Sequence, residues 1–293
     1  MNILFLGAGG PAAIGAIKSL SECDSQGKHK IVSVDCDELA VGFHLSDKSY
    51  VIPKIDEEHY YDKITKVIKK EEIDLILPTS DDVEPISLMR DIYYKGVNLF
   101  MSDYHSISTC HNKFLFYKKC SIDFPLPHTT DKFVPIFSKP KTGKGSRGIK
   151  LIDENKDNYL YQEYLPGTEY TIDVLSDMDS NVLSVIPRVR LQTKAGISTK
   201  GRIIKNKNIE DMCRNISKFL QLKGPVCMQM KEDELGSPKF IEINPRFGGG
   251  TYFTTLAGVN FVKIILDLID GKEVTVPNPT EITVLRYFNE VVI

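Results

Sequence analysis

At 293 residues the chain exceeds the roughly 100–200 residues usual for one domain, so two domains, or one domain with a lid, are expected. Hydrophobic residues make up 42% and charged residues 26%, and no stretch approaches the roughly 18 apolar residues of a membrane span, which argues against a membrane partner. The net charge of −2, with Lys and Arg spread along the chain, argues against nucleic acid, and six scattered cysteines without a CxxC pair suit a cytoplasmic protein with reduced thiols.

The chain opens on a short apolar strand, Ile3–Leu6, that runs into Gly7-Ala8-Gly9-Gly10-Pro11 and a helix beginning near Pro11. A strand, a glycine turn and a helix N-terminus form a place where backbone N–H groups can hold an anion. With Asp35 at the end of the second strand, Ile31–Val34, this keeps an NAD(P)-dependent oxidoreductase as an alternative. The spacing is irregular, however, because Ala12 stands where a dinucleotide fingerprint has its third glycine. A tight strand-to-helix connection is the preferred reading.

A helix is expected over Glu57–Lys70, where Tyr61, Ile64, Val67 and Ile68 share one face. Strands follow at Ile73–Leu77 and Val97–Phe100, and the alternation marks βαβ units with a parallel sheet. Between those strands, Thr79-Ser80-Asp81-Asp82 lies where ligands sit in such sheets: Asp81 could meet a substrate amine, or the segment could cap the next helix.

After about residue 105 the pattern becomes α+β. Helices are expected at Asn112–Cys120, Ile209–Leu220 and Phe261–Ile269, and strands at Val134–Ser138, Ile149–Ile152, Tyr170–Leu175, Leu183–Ile186, Val226–Met230 and Phe240–Asn244. Between two of these strands, Lys139-Pro140-Lys141-Thr142-Gly143-Lys144-Gly145-Ser146-Arg147-Gly148 forms a basic loop whose glycines let backbone approach phosphate oxygens. Tyr161-Gln162-Glu163-Tyr164-Leu165-Pro166-Gly167-Thr168-Glu169 leads from a strand end through a Pro-Gly turn to a carboxylate suited to a ribose diol.

The segment Phe240-Ile241-Glu242-Ile243-Asn244-Pro245-Arg246 carries the most chemistry. Strand alternation puts Ile241 and Ile243 on one face and Glu242 and Asn244 on the other, two hard oxygen ligands of the kind Mg²⁺ takes. A turn within Lys231–Lys239 would bring Gln229 beside Glu242. Arg188, Arg190 and Arg202 flank Leu191–Gly201, a segment whose composition suggests a loop near an acceptor site, where one arginine could hold a substrate carboxylate.

Taken together and in this order, these elements resemble the ATP-grasp superfamily, in particular the nucleotide-binding unit of carbamoyl phosphate synthetase and its single-unit relatives. The resemblance implies a pre-ATP-grasp α/β domain over 1–105 and an ATP-grasp domain over 106–293 with a small lid at about 126–162. It also implies an ATP-dependent ligase that forms an acyl phosphate from a small-molecule carboxylate and passes the acyl group to an amine. Its cofactors would be ATP and Mg²⁺, with Mn²⁺ as a substitute, and a homodimer is compatible with it. A non-catalytic ATP sensor is a further alternative.

By the same resemblance, Lys113 and Lys139 contact the phosphates, and Gly145 and Ser146 lie in a covering flap. Glu163 and Leu165 offer backbone groups to the adenine, and Glu169 holds the ribose. Gln229, Glu242 and Asn244 bind the metal, and Arg246 stabilises charge during phosphoryl transfer.

Overall fold

The computed structural model describes residues 1–94, 96–131, 137–140, 150–151, 159–287 and 289–293. Strands β1 (Asn2–Leu6), β2 (Lys30–Asp35), β3 (Lys48–Val51), β4 (Leu75–Leu77) and β5 (Asn98–Leu99) form a parallel sheet in the order β3-β2-β1-β4-β5. β1 and β4 are almost wholly buried, as central parallel strands with both faces covered must be. Helix α1 (Pro11–Cys23) starts with Pro11 in its first turn, where the missing N–H costs nothing.

Helix α2 (Tyr60–Lys70) begins three residues later than expected, after His59 in the left-handed conformation. Tyr60, rather than Tyr61, joins Ile64, Val67 and Ile68 on its buried face. The short helices α3 (Val83–Leu88) and α4 (Arg90–Tyr93) precede β5, and α5 (Tyr104–His111) and α6 (Lys113–Cys120) follow it.

Two antiparallel sheets come next. Strands β6 (Thr129–Thr130), β7 (Phe137–Pro140), β8 (Lys150–Leu151) and β9 (Tyr159–Gln162) pair in the order β6-β9-β7-β8. Of the expected strands here, 134–136, 149 and 152 lie outside the described residues. The larger sheet contains β10 (Glu169–Ser176), β11 (Val182–Lys194), β12 (Ile197–Ile203), β13 (Gly224–Glu232), β14 (Pro238–Asn244) and β15 (Thr283–Leu285), ordered β14-β13-β10-β11-β12-β15. Its helices are α7 (Lys207–Phe219), α8 (Thr251–Leu256) and α9 (Phe261–Ile269). The expected order, a parallel α/β unit followed by an α+β unit, holds.

Leu191–Gly201 is not a loop. β11 and β12 run through it as a hairpin with Ala195 and Gly196 at the turn, both at positive φ. The polar, exposed end of β11 hides the strand from a hydrophobicity reading.

The two units share a core. Ile3, Phe5, Ala12, Ala16, Ile17, Leu75 and Leu77 of the first pack in one cluster with Phe253, Phe261, Ile264 and Ile265 of the second. Polar links reinforce it: Ser19 and Thr255 hydroxyls meet at 2.7 Å, and Ser102 donates to the Lys223 carbonyl at 3.0 Å.

Candidate active site

The six-stranded sheet has one apolar and one polar face. Tyr170, Ile172 and Val174 of β10, Val226, Met228 and Met230 of β13, and Phe240 and Ile243 of β14 pack against Ile209, Cys213 and Ile216 of α7. Period-two alternation sends the intervening side chains to the opposite face. There the register aligns Arg188 with Thr171, Thr171 with Gln229, and Gln229 with Glu242. The neighbouring row contains Asp173, Cys227 and Asn244.

Gln229 and Glu242 are therefore direct cross-strand partners, with Cβ atoms about 4.5–5.5 Å apart, close enough for both side chains to reach one cation. Asn244 lies two residues further along the same face and is 8% exposed. The expected alternation is corrected at Ile241. A bulge shifts the pairing from Gln229↔Glu242 to Met230↔Phe240, so Phe240 joins Ile243 on the core side and Ile241 is the extra residue.

No group of three or more His, Cys, Asp and Glu side chains among the described residues could hold a metal. The set here is instead one carboxylate and two amide oxygens, which suits Mg²⁺ that takes its remaining ligands from phosphate and water. The buried Cys227 of the second row has its pKa pushed up to about 12, chiefly by burial and then by Asp173, so it is a neutral thiol at neutral pH.

Two arginines extend the polar face. Arg190 donates to Glu169 at 2.5 Å, to Gln229 Oε1 at 3.4 Å and to the Gly196 carbonyl at 2.6 Å. Arg188 is enclosed, 1% exposed, with Asp173 at 3.6 Å and Ser198 at 3.3 Å. Its Nε has no hydrogen-bond partner among the described residues. Asp173 in turn accepts from Thr254 at 2.6 Å and Thr251 at 3.3 Å. A Cβ on Gly250 would lie 2.3 Å from Arg188 Nη2, so only glycine admits the guanidinium there.

Arg286 lies 4.9 Å from the Phe253 ring, and Arg188 lies 5.2 Å from it. Arg286 also donates to the Gly249 carbonyl. Burial first, and then the Arg188 charge, hold its pKa below the ordinary value.

Arg246 is fixed by the first unit. Its Nε donates to Asp81 at 2.6 Å, its Nη1 to the Phe247 carbonyl at 3.0 Å, and its Nη2 approaches Asn244 Oδ1 at 3.5 Å. Burial alone would lower the Arg246 pKa, but the Asp81 carboxylate outweighs it and holds the group above its ordinary value. Asp81 is therefore engaged with a guanidinium. Asp82, at the N-cap of α3, makes no capping hydrogen bond with its side chain and accepts from Tyr60 at 3.0 Å.

The glycine turn lies beside this segment. Gly7 has a φ of +64°, and a Cβ there would come within 2.8 Å of Ser80 Cβ. Gly9 N–H donates to Asp35 at 2.7 Å, so the acid that a dinucleotide ribose would need is spent within the turn.

The other expected residues occupy different elements. Lys113 is the first residue of α6, whose N-terminus Asn112 caps by accepting from Phe114 and Leu115 N–H, each at 3.1 Å. Lys139 lies in β7 opposite Leu160. Gly145 and Ser146 lie outside the described residues. Glu163 and Leu165 follow β9; Glu163 N–H donates to the His128 carbonyl at 2.9 Å and its carboxylate meets Lys239 at 2.8 Å. Arg202 is exposed on β12 and donates to Thr283 at 3.2 Å.

Asp173, Thr251 and Arg286 were not foreseen. Asp173 alternates in step with Glu169 and Thr171, a signal available in the sequence, whereas nothing local marks Arg286.

Comparison with known proteins gives two family matches. Residues 155–291 match the family described as ATP-grasp in the biosynthetic pathway with Ter operon, and residues 3–95 match the PylC-like N-terminal domain. A 3-methyl-D-ornithine–L-lysine ligase from Methanosarcina barkeri is 24% identical over 260 residues, covering 83% of this chain and 68% of that protein. The biotin carboxylase domain of a Hydrogenobacter thermophilus 2-oxoglutarate carboxylase, solved with MgADP and bicarbonate, superposes with a TM-score of 0.73 at 16% identity, over 93% of this chain and 70% of that one. An L-amino acid ligase from Bacillus licheniformis superposes with a TM-score of 0.65 at 15% identity, over 90% and 73%.

Proposed function

The chain belongs to the ATP-grasp superfamily, and on that premise we propose an ATP-dependent ligase that joins a carboxylate to an amine and releases ADP and phosphate. The observation that carries this reading is the polar sheet face on which Gln229, Glu242 and Asn244 converge beside Arg246.

Phosphoryl transfer to a carboxylate oxygen asks for in-line placement and for cations around the γ-phosphate, with no covalent protein intermediate. Gln229, Glu242 and Asn244 would hold Mg²⁺, which would supply neutralisation of the phosphate charge, and the same oxygen set would suit Mn²⁺. Arg246 presents its remaining N–H groups to the transferring phosphoryl. By the family resemblance Lys113 would contact the phosphates and Glu163 and Leu165 would present backbone to the adenine, while the phosphate roles expected of the Lys139 side chain, Gly145 and Ser146 fall outside the described residues. Glu169 faces the ribose with Arg190 fixing its carboxylate. Arg188 braces the Gly250 turn from beneath.

Both ligases that the chain is similar to are named for amino-acid substrates, so amino acids and their analogues are the acids and amines to try first. No helix among the described residues is long and apolar enough to cross a membrane. All six thiols are free, which suits the reducing cytoplasm.

The test is thermal unfolding with and without nucleotide. A ligand that binds only the native state at 100 times its Kd stabilises by about 2.7 kcal/mol. We expect MgATP to raise the Tm, EDTA or Glu242→Ala to remove most of the rise, and NADH to have no effect. A rise with NADH alone would overturn the reading.

A further inference from the structure

Arg246 can stabilise a transferring phosphoryl group only if its guanidinium is held at the right angle and its outward N–H groups stay open. An arginine has five N–H donors in a rigid plane. Here the Nε edge is taken by Asp81 at 2.6 Å and Nη1 by the Phe247 carbonyl at 3.0 Å. Those two anchors leave Nη2 directed at Asn244, where the contact is a loose 3.5 Å. Two of the three guanidinium nitrogens are thus tethered, and the third is the one turned to Asn244.

The anchor comes from 165 residues away, in the segment after β4 of the parallel sheet. That segment is held in place without Asp81. Thr79 exchanges two hydrogen bonds with the Leu6 backbone, at 2.9 and 2.7 Å, and Phe247 N–H donates to the Pro78 carbonyl at 2.9 Å. Asp82 accepts from Tyr60 at 3.0 Å. Thr79 therefore fixes its own segment to β1 and the Phe247–Pro78 backbone bond docks the two segments, while the Asp81 carboxylate orients the Arg246 side chain.

We propose that Asp81 is a positioning residue for phosphoryl transfer, lent by the parallel-sheet unit to aim Arg246 at the metal-bound phosphate. The proposal rests on the role given to Arg246 above. It makes the first unit part of the catalytic apparatus. In this role Asp81 acts through Arg246 and not on the reacting atoms.

The experiment compares ground-state and transferring-phosphoryl binding in the full chain. Calorimetry measures the Kd of MgADP alone and with aluminium fluoride, which mimics the phosphoryl group in flight, for the wild type, Asp81→Asn and Asp81→Glu. Removing a preorganised donor costs about 100–1,000-fold at the transition state, so loosening one is expected to cost about tenfold or more. Asp81→Asn should bind MgADP within about twofold, yet lose about tenfold or more of the fluoride gain, with Asp81→Glu recovering part of it.

A wild-type fluoride gain in Asp81→Asn would overturn the proposal. So would a loss of MgADP binding as large as the loss of the fluoride gain, since the residue would then be structural. If the wild type itself binds no MgADP, the nucleotide reading falls and takes this proposal with it, a result distinct from either of the others.

Discussion

Arg188 is the residue whose surroundings constrain it most. It is 1% exposed, its ion-pair partner Asp173 is 2% exposed, and Gly250 and Gly201 press against its guanidinium and stem. A charge so enclosed is costly to strand, and removing one partner of a buried pair typically costs about 3–5 kcal/mol. Arg188→Met should therefore lower unfolding stability in urea by about 3–5 kcal/mol. Arg202→Met on the exposed side of β12 should stay within about 0.5 kcal/mol. Equal small effects would mean that Arg188 carries no structural weight.

Residues such as Glu242 and Asn244 are legible in the sequence because strand alternation alone gives them a common face. The partnerships of Arg188 with Asp173, Arg286 with Phe253 and Asp81 with Arg246 are not, because each is made by tertiary packing rather than by spacing along one element.

At the scale of elements, the hairpin of β13 and β14 was readable from its turn: Asp233 accepts from Leu235 and Ser237 N–H, and Gly236 takes a positive φ. The hairpin of β11 and β12 was not, because its distal half is exposed and polar and so lacks the apolar alternation that marks a half-buried strand. The bulge at Ile241 was missed because inserting one residue leaves no compositional trace.

Helix α6 offers an element-scale test. Asn112→Ala removes the side-chain cap of the helix that begins with Lys113, and such caps are worth about 1 kcal/mol. The variant should lose about that much stability and bind MgATP more weakly by calorimetry. Unchanged affinity would remove Lys113 from the phosphate site.

The parallel sheet has its own pH signature. Lys30 at 2.6 Å, joined by the Tyr50 hydroxyl, holds the Glu71 carboxyl below its ordinary value of 4.5. Because the native pKa is the lower one, this contribution is complete above pH 4.5 and is lost as pH falls through the native value. Thermal melts should show the wild type losing stability below that range and Glu71→Gln losing less. Parallel curves would contradict the assignment.

Over the whole molecule, the shared cluster of α1, β1 and β4 with α8 and α9 joins the two units. The Asp81–Arg246 bridge lies across the same junction. Units that share a core are expected to unfold together, so far-UV dichroism and tyrosine fluorescence should trace one coincident transition. Two separated transitions would show that the units are independent and would weaken any role for the first in catalysis.

The central claim is that the Gln229, Glu242 and Asn244 face supports metal-dependent acyl activation. The most direct test is ADP release by the purified chain with MgATP, screened over pairs of amino acids and their analogues, with mass spectrometry of the product. We predict a pair that gives ADP and a condensed amide in equal amounts, dependent on Mg²⁺ and abolished by Glu242→Ala in a protein that still folds. Wild-type ADP release by a folded Glu242→Ala variant would contradict the account.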